Sequence, residues 1–140
     1  LVPESPAGRA QMLQWSIAAL NSIEPFLMNL AEVEFFIDDD GEKAKRRPRV
    51  LAMVETRLGE LENALGERTW LVGDAFSAAD LLMASVLKIA DSLGVLSAFP
   101  RLAAYHARCV ARPAHLKAVA DQRAEIARHE MKDMKFEPLG

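Results

Sequence analysis

Through most of this chain apolar residues recur at steps of three and four, the spacing of one helical face. Met12, Trp15, Ala19, Ile23, Phe26 and Leu30 form one such series; Leu51, Val54, Leu58, Leu61 and Leu65 form a second. The first predicts a helix opening at Ser5-Pro6, with Ser5 as cap and Pro6 at the first helical position. Pro25 falls inside this helix. It has no amide to donate and crowds the carbonyl of Asn21, so a kink is expected there. The second series predicts a helix from about Pro48 to Leu65, with Gly66 suited to end it. Between the two, IDDDGEKAKRRPR reads as a charged, solvated connector.

The third apolar run carries the most specific local signal. In DAFSAADLLMASVLKIADSLG, Ser77 and Asp80 stand at the spacing of a capping box, each side chain able to serve the other's backbone amide. Phe76 and Leu81 flank them at the spacing of a hydrophobic staple. From Leu81 to Leu93 the helix is apolar almost all round, which predicts a central position with neighbours on every side. Pro100 then suits another helix start, with Leu102, Tyr105, His106 and Cys109 on one face. The Arg112-Pro113 step ends that helix and Pro113 opens a last one, through Leu116, Val119, Arg123 and Ile126. The fold class expected is all-α, a bundle of about five to six helices around a buried central helix.

Composition narrows the function. At 140 residues, 51% hydrophobic and 26% charged, the chain suits one globular domain. A net charge of −3 points to no nucleic-acid partner. One cysteine allows no intramolecular disulfide and fits a reducing, cytoplasmic setting. No apolar run approaches the roughly 20 residues of a membrane span, so no membrane partner is expected. His106 and Cys109 sit one turn apart, too few ligands for a zinc site, so no metal is expected. Leu1-Val2-Pro3 reads as the interior of a longer chain.

The segment WLVGDAFSAADLLMASVL, followed by FPRLAAYHARCVARPA, resembles the C-terminal domain of bacterial glutathione transferases. The resemblance rests on Trp70, Leu71, Gly73, Ser77, Asp80, Pro100, Leu102, Tyr105, Arg108, Arg112, Pro113 and Ala114. The opening RAQMLQW also resembles the family's first C-domain helix. This implies a helical domain over residues 1–133, a flexible tail over 134–140, and a thioredoxin-like N-domain absent from this chain. It further implies that the missing N-domain supplies the thiol-activating residue and most of the glutathione site, glutathione being the co-substrate. The chain itself is then expected to hold no catalytic residue. Its part is the pocket for a small hydrophobic electrophile and much of a homodimer interface, inactive by itself. The alternative from the same resemblance is a non-catalytic protein-interaction module.

By the same resemblance the interdomain cleft is lined by the first helix past its midpoint and by part of the central helix. The implied substrate-binding residues are Asn21, Glu24 and Met28, with Lys88 on the central helix. Ser77 and Asp80 are assigned to capping, a structural role. Several bacterial members carry His-Lys just after the position of Glu24. Here Pro25 and Phe26 stand there, which implies a more apolar, kinked pocket floor.

Overall fold

The structure, a computed structural model, describes residues 1–129 and is helical throughout its regular elements. Six α-helices follow one another: α1 (Pro6–Ala18), α2 (Glu24–Phe35), α3 (Asp40–Leu65), α4 (Ala78–Ser92), α5 (Pro100–Val110) and α6 (Pro113–Arg128). A π turn over Ala19–Ile23 joins α1 to α2 without a break, so the first two act as one long helix. The expected tail over 134–140 and residues 130–133 of the expected domain lie outside the described residues.

The chain divides into two compact units, Leu1–Cys109 and the segment from Val110 onward. In the first unit α1 packs against α4 and α2 against α3. Their core includes Leu27, Leu30, Leu58, Leu65, Met83, Leu87, Leu102 and Tyr105, all essentially removed from water. The second unit holds α6, which opens at Pro113 and carries Lys117–Asp121 (2.6 Å) and Arg128–Glu125 (2.9 Å) ion pairs on exposed side chains.

Three expectations change. First, α3 begins at Asp40, not near Pro48. Asp39 caps it, its carboxylate accepting from the amide of Glu42, and Asp40 and Glu42 lie in the first turn, where the helix dipole favours negative charge. The basic residues then clasp the end of α2: Lys43 Nζ donates to the Glu34 carbonyl (3.0 Å) and Arg47 Nε to the Glu34 carboxylate (2.6 Å). Pro48 is carried inside the helix, forgoing only its own amide. Second, Pro25 produces a widened turn in place of a simple kink, as described below. Third, α4 is not enclosed on all sides. Ala79, Met83, Ala84, Val86, Leu87 and Ala90 are buried, but Leu81, Ser85, Lys88 and Ser92 form an exposed stripe. Leu81 is 48% exposed and Phe76 meets the Trp70 ring edge-on at 5.2 Å, so Phe76 is held by the Trp70 loop.

The ends of the helices are tied by side chains from elsewhere. Gly66, at φ 57°, closes α3 by returning its amide to the Glu62 carbonyl. The Arg68 guanidinium donates to the carbonyls of Ala64, Leu65 and Leu71 and lies over the Trp15 ring, joining the end of α3 to the next loop and to α1. Glu62 accepts from the amide of Arg101 (2.8 Å), so a side chain of α3 caps the start of α5.

Candidate substrate-binding face

The long first helix changes register where the site residues sit. In the π turn the Glu24 amide reaches back five residues to the Ala19 carbonyl. The next amide in line belongs to position 25, and proline has none. The Leu20 carbonyl therefore loses the Glu24 amide, which has gone to Ala19, and the Asn21 carbonyl loses the amide that position 25 gives in an unbroken helix. One extra residue in the turn moves the proline ring away from the carbonyl it otherwise strikes, which is why the helix widens here instead of breaking.

Asn21 is exposed, Glu24 is half-buried at the start of α2, and Met28 is 49% exposed. Steps of three and four bring these side chains to one surface. Leu13, Ile17 and Leu20, at 56%, 59% and 43% exposure, continue that surface as an apolar stripe back along α1. Lys88 stands on the exposed stripe of α4, a helix that packs against the π turn. Among the described residues no ion pair or hydrogen bond joins Lys88 to Glu24. The structure thus gathers Asn21, Glu24 and Met28 on the first helix and sets Lys88 on the neighbouring α4. The chemistry of this face is an apolar bed with hydrogen-bond acceptors at its centre, and it holds no paired nucleophile and base.

The capping residues are organised differently. The reciprocal geometry of a capping box is in place at the start of α4. Asp80, fully buried, accepts four hydrogen bonds: Oδ2 from the Ser77 amide (2.8 Å) and hydroxyl (2.8 Å), Oδ1 from the Leu71 amide (2.8 Å) and the Tyr105 hydroxyl (2.9 Å). One carboxylate thereby ties the 70–77 loop, α4 and α5. Gly73 lets that loop turn at φ 61°. The Tyr105 hydroxyl is pushed well above the usual phenol range, first by burial and then by the neighbouring Cys109 and Asp80. The sequence pattern yields the Ser77–Asp80 pair and misses Leu71 and Tyr105. The signal for the latter is that a tyrosine on a buried helix face must find its hydroxyl a partner.

Two hollows border these residues. A cavity of about 400 Å³ opens beside the start of α1, lined by Leu1, Val2, Pro3, Gly8, Val72 and Phe76 among others. A groove of about 160 Å³ runs between the long first helix and α3, past Trp15, Ser22, Arg57 and Glu60. Among the described residues no group of three or more His, Cys, Asp or Glu is placed to hold a metal ion, and no helix is long and apolar enough to cross a membrane.

A two-part helical core, an Asp80 knot under the central helix and an open face on the first helix together define a glutathione-transferase-type C-terminal domain. The sequence matches the glutathione S-transferase C-terminal domain family over residues 23–113, and the chain belongs to that family. It is similar to a glutathione transferase from Burkholderia graminis, solved with two glutathione molecules per subunit. The two are 30% identical with a TM-score of 0.74 over 84% of this chain and 51% of that one. It is also similar to a glutathione S-transferase from Pseudomonas fluorescens: 26% identity, TM-score 0.70, 80% of this chain and 56% of that one. Ure2p5 from Phanerochaete chrysosporium, crystallised with 1-(S-glutathionyl)-2,4-dinitrobenzene, shares the fold at 20% identity and a TM-score of 0.74, over 91% of this chain and 61% of that one. No curated protein matches the sequence. The chain spans about half the length of the first two solved structures.

Proposed function

We propose that this domain forms the electrophile pocket and part of the homodimer interface of a cytoplasmic glutathione transferase, and that glutathione is held mainly by a thioredoxin-like partner domain. The observation that carries the reading is the face running from Leu13 and Ile17 through Asn21, Glu24 and Met28. Apolar side chains along the continuous first helix remain open to water there, and an apolar face of that length is suited to a partner surface. The glutathione bound by the Burkholderia relative supports the choice of co-substrate. Among the described residues none supplies a thiol-activating group to that face, so conjugation requires the other domain.

Calorimetric titration of the chain with glutathione is expected to give no binding or very weak binding; micromolar affinity would overturn this division of labour. In the full polypeptide that bears the domain, glutathione should displace halide from a dinitrophenyl halide. Failure of that reaction, with the polypeptide folded, would favour a non-catalytic interaction module.

A further inference from the structure

We infer that the turn from Leu20 to Glu24 recognises a protonated amine carried on an otherwise apolar ligand. The inference rests on the proposed pocket and names the class of molecule it takes.

Four acceptors lie on one turn of helix. The Leu20 carbonyl has lost the Glu24 amide to Ala19, and the Asn21 carbonyl has lost the amide of position 25, since Pro25 has none. The Asn21 side-chain amide offers a further oxygen on the same turn. Glu24 adds a half-buried carboxylate that takes part in no ion pair or hydrogen bond among the described residues. Lys88, on the exposed stripe of the adjoining α4, forms no ion pair or hydrogen bond with it among the described residues. The rest of the face is apolar, Leu20 before the turn and Met28 after it. Acceptors that outnumber the donors of the turn, one of them anionic, select a ligand with several N–H donors and a positive charge. The surrounding apolar side chains select a hydrocarbon or aromatic body for the rest of it. A primary ammonium on an aromatic ring has both.

The same turn explains why the ligand should be a donor and not merely a cation. A quaternary ammonium is attracted to Glu24 but gives the two carbonyls nothing. A primary ammonium supplies three N–H groups, enough for the carboxylate and both carbonyls.

Three probes separate these terms on the isotopically labelled chain, read as amide shift changes by NMR: benzylammonium, benzyltrimethylammonium and benzyl alcohol. Benzylammonium should move the amides of residues 20–28 and bind about threefold to fivefold more tightly than benzyl alcohol, the size of a solvent-exposed charge interaction. The quaternary ion should fall between them. Glu24→Gln should bring benzylammonium to the level of the alcohol while leaving the alcohol unchanged. Equal binding of amine and alcohol by the unaltered chain would overturn the inference and leave the pocket reading standing. If no probe moves residues 20–28, the pocket reading and the inference fall together.

Discussion

Two carboxylates stand at the starts of two helices in this domain, and the fold uses them in opposite ways. Asp80, in the first turn of α4, is fully buried and accepts from Leu71, Ser77 twice and Tyr105. Glu24, in the first turn of α2, is half-buried and engages no side chain among the described residues. Asp80 sits where a helix dipole favours negative charge, whereas Glu24 lies at the junction of the π turn and α2, inside one continuous helix. What separates them is the supply of donors. A buried charge persists only when its oxygens are satisfied, so Asp80 belongs to the architecture. An unsatisfied charge at the surface costs little while water attends it, so Glu24 is free to meet a ligand.

Breaking the buried member should have the largest effect. Asp80→Ala strands the amides of Leu71 and Ser77 and the hydroxyls of Ser77 and Tyr105 in a dry interior. Urea denaturation should show a loss of about 3–5 kcal/mol, the range for removing one partner of a buried charged network. A loss below about 1 kcal/mol would mean that water replaces the carboxylate and that the knot is not closed.

Tyr105 tests the same knot from its other end, and it is the only tyrosine in the chain. Its phenol is held protonated in the folded state by burial first and by Cys109 and Asp80 after that. The unfolded chain releases that proton near pH 10. Above that pH the folded state binds more protons than the unfolded one, so stability is intact below about pH 10 and falls as pH rises past it. The near-ultraviolet phenolate absorbance should therefore appear together with the loss of helical circular dichroism. A phenolate signal from a still-helical protein would place Tyr105 in contact with water. Tyr105→Phe, which keeps the ring and removes one of the four donors, should cost about 1–2 kcal/mol in the same denaturation assay. Ser77→Ala removes one donor and the cap hydroxyl at the helix start and should cost about 1 kcal/mol.

The contrast also separates what the sequence exposes from what it hides. The Ser77–Asp80 pair is legible because a capping box is local: three residues of spacing carry the whole interaction. The buried faces of α3 and α5 are legible for a related reason, since Val54, Leu58, Leu61 and Leu65, and likewise Leu102, Tyr105, His106 and Cys109, follow the helical period. The start of α3 is hidden because its helix is stabilised by a cap at Asp39 and by partners on α2, and a charged segment with a proline shows neither. The Leu71 and Tyr105 contacts to Asp80 are hidden because they span nine and twenty-five residues. At the candidate face, Pro25 announces a disturbance, but whether the chain kinks or adds a residue to the turn depends on packing against α3 and α4. Asn21, Glu24 and Met28 follow from a family resemblance, and the helix brings them to one surface. Lys88 follows from the same resemblance and stands on the exposed stripe of α4.

The smallest expected effect sharpens the comparison most. Glu24→Gln keeps the shape of the side chain and removes its charge. Because no partner is stranded, urea denaturation should register a change within about 0.5 kcal/mol, as for a surface substitution that touches no network. Asp80→Asn is the matched substitution at the buried site and should cost several times more, since an amide nitrogen replaces one acceptor among four donors and leaves at least one of them facing another donor. A loss of 2 kcal/mol or more at Glu24 in this assay, on the order of a stranded buried group, would show that it too is a structural carboxylate. The open face would then have to find its chemistry in the backbone carbonyls of the π turn and the Asn21 amide alone.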